Sequence, residues 1–390
     1  MSFYDNRYYH SNKIVLSLVG QWPFQSRIKS SVMFASTVLV VFTMMALVLW
    51  GLISGITDIT IVMENMSPLL VNNFVIIKLM NCLYNKYKMK ELLERIEKTW
   101  KIMHVGHENT ILRLYAEESR KSTVRYIIAL YSAWIFYCVT PIVVNRISVV
   151  LPTNNTHTPK FLYRLEHVID MHKYYNLLML HGSICVFYTV SVIIAIDCFF
   201  VLCTQHACAL FKCIKYNVEC IGVADLESLN PNVKDDEAYH AIINSIKLYK
   251  YALKFADLLS TTYATSFLFT LGNVVISLSF GAAKMIMLKS SFDQIIRIMS
   301  TNLAQVLHIY YLSSTSQQLI DHSSELQEVI YSCKWYDISL RSRQLLQFTL
   351  LRTTKPCQIE AGKMFTMSME NFSSILKMSL SYFTMIRSLQ

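Results

Sequence analysis

Three groups of residues have types and spacings that could do chemistry. Cys203, Cys208 and Cys213 recur every five residues with His206 among them, which are the ligand types of a zinc site. On a helix that spacing turns each cysteine about 140° from the last, so they cannot share one face. Buried, lipid-facing or palmitoylated thiols are the better reading, and no metal site is expected. His308 lies beside Asn302 and Gln305 and could relay a proton. Its own apolar run holds no carboxylate to pair with it, which favours a hydrogen-bonded structural histidine. Asp197 closes another apolar run and reads as a buried hydrogen-bond acceptor. There is no glycine-rich phosphate loop, no H-E-x-x-H and no nucleophile elbow. Neither an enzymatic reaction nor a cofactor is expected.

The third group is near the C-terminal end. At 100° per residue, Ser374, Lys377, Ser381, Thr384, Ser388 and Lys363 all fall within about 40° of Glu370. An apolar helix cannot turn such a stripe toward lipid at acceptable cost, so it faces either a polar protein interior or water. Pairing of Glu370 and Lys377 with neighbouring helices competes with lining a pore. Phe372, Ile375, Leu376, Phe383 and Ile386 occupy the opposite side.

The elements that position these groups follow from hydropathy. The chain has 390 residues, 53% apolar and 16% charged, against about 25% charged in soluble proteins. Runs without Asp, Glu, Lys or Arg cover Ser30 to Thr57, Tyr126 to Asn145, Tyr174 to Ile196, Leu258 to Ala283 and Ile298 to Ile320. Each reaches the roughly 20 residues that cross a bilayer. Two weaker runs complete the set, about Ile59 to Tyr84, where Lys78 is expected to snorkel to the interface, and about Ile359 to Ile386. The expected fold is an all-α membrane protein with seven transmembrane helices, at about 31–56, 60–84, 126–145, 175–202, 258–283, 298–319 and 360–386. Residues 204–257 and 320–356 are expected to form inner helical extensions.

Lys and Arg number 25 on one side of this layout and 7 on the other. Short basic loops stay in the cytoplasm, so the N-terminus is expected inside and the C-terminus outside. The net charge of +10 then belongs to the inner face and its anionic lipids, with no nucleic acid partner expected. Asn154-Asn155-Thr156 is a glycosylation sequon on the side expected outside, while Asn371-Phe372-Ser373 lies in the seventh run and should stay silent. Ile14 to Gly20 is too short for a cleavable signal, so the first span is expected to direct insertion. Before the seventh span, Leu326, Val329, Ile330 and Cys333 follow helical spacing from a cap at Ser323 or Ser324. Leu345, Phe348 and Leu351 resume it before Lys355-Pro356. Such amphipathic helices need a partner surface, either within the chain or on another subunit.

The residues also carry a resemblance. Ile330-Tyr331-Ser332-Cys333-Lys334-Trp335-Tyr336, Leu345-Leu346, Lys355-Pro356, Ala361-Gly362-Lys363-Met364-Phe365, Ser368-Met369-Glu370 and Ser381-Tyr382-Phe383-Thr384 resemble the tail of the insect odorant receptors. Gly20-Gln21-Trp22-Pro23 is similar to that family's short N-terminal motif. The resemblance is specific over roughly the last 70 residues and rests on span layout elsewhere.

That resemblance implies an odorant-specific subunit of a ligand-gated, non-selective cation channel, built as a heterotetramer with a shared co-receptor in the plasma membrane of olfactory neuron dendrites. The inner loop Lys212 to Asp257, about 45 residues, lacks the long insertion of the co-receptor. The pore would be lined by Glu370, Ser374, Lys377, Ser381, Thr384 and Ser388, with a gate near Met385 at the edge of the stripe. Tyr331, Trp335, Tyr336, Leu345, Leu346 and Phe348 would belong to the anchor between subunits. A small volatile odorant would bind among the second to sixth spans. The candidates there are Trp134, Tyr137 and Pro141 on the third, Tyr175, Met179 and Ser183 on the fourth, Asn273, Ser277 and Phe280 on the fifth, and Asn302 on the sixth. Taken singly, each of these reads more readily as ordinary helix packing.

Three other classes share features. A G-protein-coupled receptor needs the opposite orientation and an outer-loop cysteine that Arg146 to Lys173 lacks. A gustatory receptor shares the layout but ends on a different motif from Ser381-Tyr382 and Arg387-Ser388. A secondary transporter would show internal repeats, and none is visible.

Overall fold

The computed structural model describes residues 3–150, 173–221, 236–287 and 292–388. Asn154 lies outside the described residues. Among the described residues there are ten α-helices: α1 (His10–Leu18), α2 (Arg27–Ser54), α3 (Ile59–Tyr84), α4 (Lys86–Ile102), α5 (His107–Val150), α6 (Tyr175–Glu219), α7 (Glu237–Met287), α8 (Phe292–Ser332), α9 (Leu340–Thr353) and α10 (Met369–Ser388). Strands β1 (Glu360–Ala361) and β2 (Phe365–Thr366) form one antiparallel hairpin.

Five of these helices, α2, α3, α5, α6 and α7, are long and apolar enough to cross a membrane. The polar residues that dilute α8 and α10 are those of the His308 region and of the stripe; α8 packs against α5, α6 and α7, and α10 against α7 and α8. Exposed apolar side chains such as Phe42, Ile53, Phe136, Leu177 and Leu303 cover its outer surface, as a lipid-facing surface requires.

The bundle is organised around α6. It packs against α1, α2, α3, α4, α5, α7 and α8, and from Ser191 to Ile214 nearly every side chain is buried. This explains why cysteines that share no face are all buried: Cys198, Cys203, Cys208 and Cys213 are free thiols on every side of a surrounded helix. The basic stretch after α3 is folded rather than a plain loop. Met89, Leu92, Leu93 and Ile96 of α4 are buried at helical spacing, while its lysines face outward.

At the N-terminal end, Gly20 has φ of +71°, and a Cβ there would sit 2.5 Å from the Phe34 nitrogen. Only glycine allows α1 to turn this tightly onto α2. The turn buries Trp22, which meets Tyr4 edge-on at 5.3 Å.

Two expected boundaries move. Helix α8 runs unbroken from Phe292 to Ser332, so no helix starts at Ser323 or Ser324; both hydroxyls donate to the Ile320 carbonyl instead. The seventh span does not begin near residue 360. Residues 360–366 form the hairpin, whose turn from Ala361 to Met364 places Gly362 and Lys363 both at φ of 61°. Gly362 donates to the Ala264 carbonyl at 2.9 Å, and a Cβ on it would reach 2.5 Å from Leu268. Lys363 is therefore a turn residue and leaves the helical stripe. Helix α10 starts at Met369, three residues after the hairpin ends at Thr366, capped by Ser368, which accepts from the Asn371 amide at 3.2 Å.

Candidate ligand cavity and pore helix

A cavity of about 170 Å³ lies between α2, α3, α5, α6, α7 and α8. Its volume is on the order of that of an engineered apolar cavity that takes up benzene. Trp134, Tyr137 and Leu130 of α5 and Val186, Val190 and Ile193 of α6 form one wall. Asn72 and Phe74 of α3, Asn273 of α7 and Thr301, Gln305 and His308 of α8 form the other.

Of the ten ligand-site candidates, the structure places Trp134, Tyr137 and Asn273 on these walls. Two more act one step behind them. The Ser183 carbonyl accepts from Trp134 Nε1 at 3.2 Å, and Ser277 Oγ accepts from Gln305 Nε2 at 2.7 Å. The rest lie off the cavity. Pro141 is buried within α5, and Met179 and Tyr175 pack with Val48 and Leu178 in a separate apolar cluster against α2. Asn302 abuts Gly281, where a Cβ would meet Asn302 Oδ1 at 2.3 Å, and Phe280 is half-buried outside the cavity lining.

Sequence reasoning passed over Asn72, Phe74 and Thr301, which carry no pattern of their own. It also misplaced Lys78. That side chain does not snorkel; it is 1% exposed and ion-paired with Asp197, equally buried. Tyr126 donates to Asp197 Oδ2 at 2.9 Å, and His308 Nε2 lies 3.0 Å from the same oxygen and 3.1 Å from Lys78 Nζ. His308 thus has a carboxylate partner after all, supplied by α6 rather than by its own helix. A single ring nitrogen serves one of these two neighbours at a time, accepting from the ammonium or donating to the carboxylate. Phe74 closes the group, its ring edge-on to His308 at 5.2 Å and 4.9 Å from Lys78 Nζ. His308 and Phe74 belong both to the cavity wall and to this charge cluster.

Helix α10 packs against α7 and α8. Its buried side is Ile375 and Ser379. Ser279 donates to the Ser379 carbonyl at 3.0 Å, and Phe372 meets Tyr310 of α8 edge-on at 5.8 Å. The other side faces out of the chain: Glu370, Ser374, Lys377, Ser381, Thr384, Met385 and Ser388 are all exposed.

The anchor candidates divide. Tyr331, Trp335, Tyr336 and Phe348 are exposed, Trp335 and Tyr336 packing edge-on at 5.9 Å. Leu345 is half-buried, and Leu346 is buried in the chain's own core beside Ile330 and Tyr249. Helix α9 is held from within by Ser339, whose hydroxyl donates to Asp236 Oδ2 at 2.6 Å and accepts from the Ser342 amide.

Known proteins share both sequence and fold with this chain. Odorant receptor 13a of Drosophila melanogaster is 21% identical, with 96% of this chain and 93% of that protein aligned. The odorant receptor coreceptor of the same species is 34% identical over 84 residues, 22% of this chain and 17% of the coreceptor. Among solved structures, the insect olfactory receptor OR5 from Machilis hrabei in complex with eugenol superposes with a TM-score of 0.79 over 99% of this chain and 100% of that one, at 14% identity. The family profile described as 7tm odorant receptor matches residues 58–380. A chain matched over most of its length by that profile, and aligned almost end to end with an odorant receptor, belongs to the 7tm odorant receptor family.

Proposed function

We propose that this chain is the ligand-binding subunit of a volatile-gated, non-selective cation channel, assembled with a coreceptor in the plasma membrane of olfactory neurons, N-terminus inside. It catalyses no reaction. The observation that carries the reading is the cavity inside the bundle together with the outward polar face of α10. One chain offers a small apolar site and part of a water-facing wall, and the wall has a use only when other subunits complete it.

The route between them runs along α8. Gln305 and His308 face the cavity, and Tyr310, two residues on, touches Phe372 of α10. A ligand that binds one arrangement of α8 better than another shifts the population of the pore helix by that difference in affinity. The structure of OR5 with eugenol supports a small-molecule ligand, and the coreceptor similarity supports the partnership.

The test separates ligand recognition from permeation. Trp134→Ala or Tyr137→Ala removes an aromatic wall whose burial against ligand is worth about 1 to 3 kcal/mol, so the half-maximal concentration of the best volatile should rise about tenfold to a hundredfold. An agonist acting on the coreceptor should still open both variants with normal current. Unchanged dose–response curves for both variants would show that the ligand binds elsewhere.

A further inference from the structure

The two cavity walls differ in chemistry. The α5 and α6 wall is almost wholly hydrocarbon and aromatic, and its Trp134 N–H is already spent on Ser183. The α3, α7 and α8 wall carries Ser67, Asn72, Asn273, Thr301, Gln305 and His308. Asn273 is satisfied, donating to the Leu70 carbonyl at 3.1 Å, and His308 is held by the charge cluster behind it. Two buried atoms on this wall have no hydrogen-bond partner among the described residues: Asn72 Nδ2, a donor, and Gln305 Oε1, an acceptor. Asn72 is only 2% exposed.

Unpaired amide atoms in an apolar setting are costly, and each such atom in a folded protein calls for an explanation. The terminal torsion of Asn is broad, so the Asn72 amide can turn toward a group that enters the cavity, while Gln305 keeps its Nε2 on Ser277 Oγ and has Oε1 left over. The wall itself presents no net charge: the opposite charges of Lys78 and Asp197 neutralise each other behind His308. An ionised ligand would be desolvated there without a counter-charge.

We propose that the cavity takes an uncharged hydroxyl compound with a hydrocarbon body about the size of a benzene ring, its O–H donating to Gln305 Oε1 and its oxygen accepting from Asn72 Nδ2. A hydroxyl is the smallest neutral group that answers both unpaired atoms at once. An ether or carbonyl answers only Asn72, and a hydrocarbon answers neither. The hydrocarbon body then lies against Trp134 and the α6 valines. This rests on the cavity being the site at which the channel is gated.

The experiment uses matched compounds on cells expressing this chain with the Drosophila coreceptor. One set is benzyl alcohol, its isomer anisole and ethylbenzene; a second is 1-hexanol, its isomer butyl ethyl ether and heptane. Members of a set have equal heavy-atom counts and differ in hydrogen-bonding capacity. The alcohol of at least one set should act at about a tenth of the concentration its ether isomer needs, with the hydrocarbon weaker still. In Asn72→Leu and Gln305→Met the alcohol-to-ether ratio should collapse toward one. Because that ratio is measured within each functioning channel, it is independent of how much variant reaches the surface; should one variant fail to fold, the other decides. Ethers or hydrocarbons matching the alcohols would overturn the proposal while leaving ligand gating intact, and so would an unchanged ratio in either folded variant. Silence toward both sets, in a channel opened by other volatiles and by a coreceptor agonist, would overturn it as well. Silence toward every volatile while the coreceptor agonist still opens the surface channel would instead strike the gating role on which it rests.

Discussion

At the scale of single residues, the cluster of Lys78, Asp197, His308 and Tyr126 is the least expected feature. Its ion pair is fully buried, so removing one charge leaves the other unpaired in a medium of low polarity. Such a loss costs about 3 to 5 kcal/mol, whereas removing both charges together is often nearly neutral. Lys78→Met alone and Asp197→Asn alone should therefore sharply reduce folded protein at the cell surface, and the double variant Lys78→Met with Asp197→Leu should recover much of it. Surface labelling with thermal unfolding in detergent measures this; single variants as abundant and stable as the parent would show that the pair does not stabilise the bundle. Two of its members are readable in the sequence, Asp197 as a buried acceptor and His308 as a hydrogen-bonded histidine, whereas Lys78 reads as a snorkelling side chain and Tyr126 only as the start of an apolar run. Their meeting is not readable, because 119 residues separate Lys78 from Asp197 and 230 separate it from His308. The apolar run of His308 holds no carboxylate of its own, and opposite charges in different apolar runs are expected to find each other in a bundle. Trp134, Tyr137 and Asn273 were found because aromatic and amide side chains stand out in apolar helices. Asn72 had the same chemistry but lay in the weaker second run.

At the scale of elements, α10 shows why periodicity alone goes astray at its ends. The stripe from Glu370 to Ser388 is a true helical face, exposed along its length, while Ile375 and Ser379 hold the opposite face to the bundle. Lys363 fell on the same angle by arithmetic, yet Gly362 with its left-handed φ turns the chain into a hairpin before the helix begins. A hairpin of two-residue strands leaves almost no alternating pattern to read. The basic inner segments were likewise read for charge, which hid the buried face of α4. If the stripe lines a pore, Lys377→Gln should change cation selectivity or conductance and leave the rank order of volatiles as it is. Reversal-potential shifts and dose–response curves in one recording session check both halves, and a reordered rank with unchanged permeation would assign Lys377 to ligand recognition instead.

At the scale of the whole molecule, the described residues carry, besides the apolar outer surface, an exposed polar face on α10 and the exposed aromatics Tyr331, Trp335, Tyr336 and Phe348, which would meet other subunits in the proposed channel. The long apolar helices are legible because apolar runs of bilayer length have few other uses, and the central place of α6 is not, because burial on all sides and exposure to lipid select the same residues. The orientation makes its own prediction. Asn154→Gln should increase the gel mobility of the surface protein and Asn371→Gln should not; the reverse would invert the topology.

The most direct measurement bears on assembly. In a channel made of this chain alone, Lys377 side chains from each subunit would gather around one axis, and at about 10 Å apart with partial water screening each pair costs on the order of a kcal/mol. Whole-cell current should be recorded under a panel of small volatiles from cells expressing this chain alone, the coreceptor alone, and both, with surface expression verified in each. A volatile-evoked cation current that appears only when both are present, with a ligand ranking altered by Trp134→Ala, is the predicted result. Robust volatile-evoked current from this chain alone, or none from the pair when both reach the surface, would contradict the account.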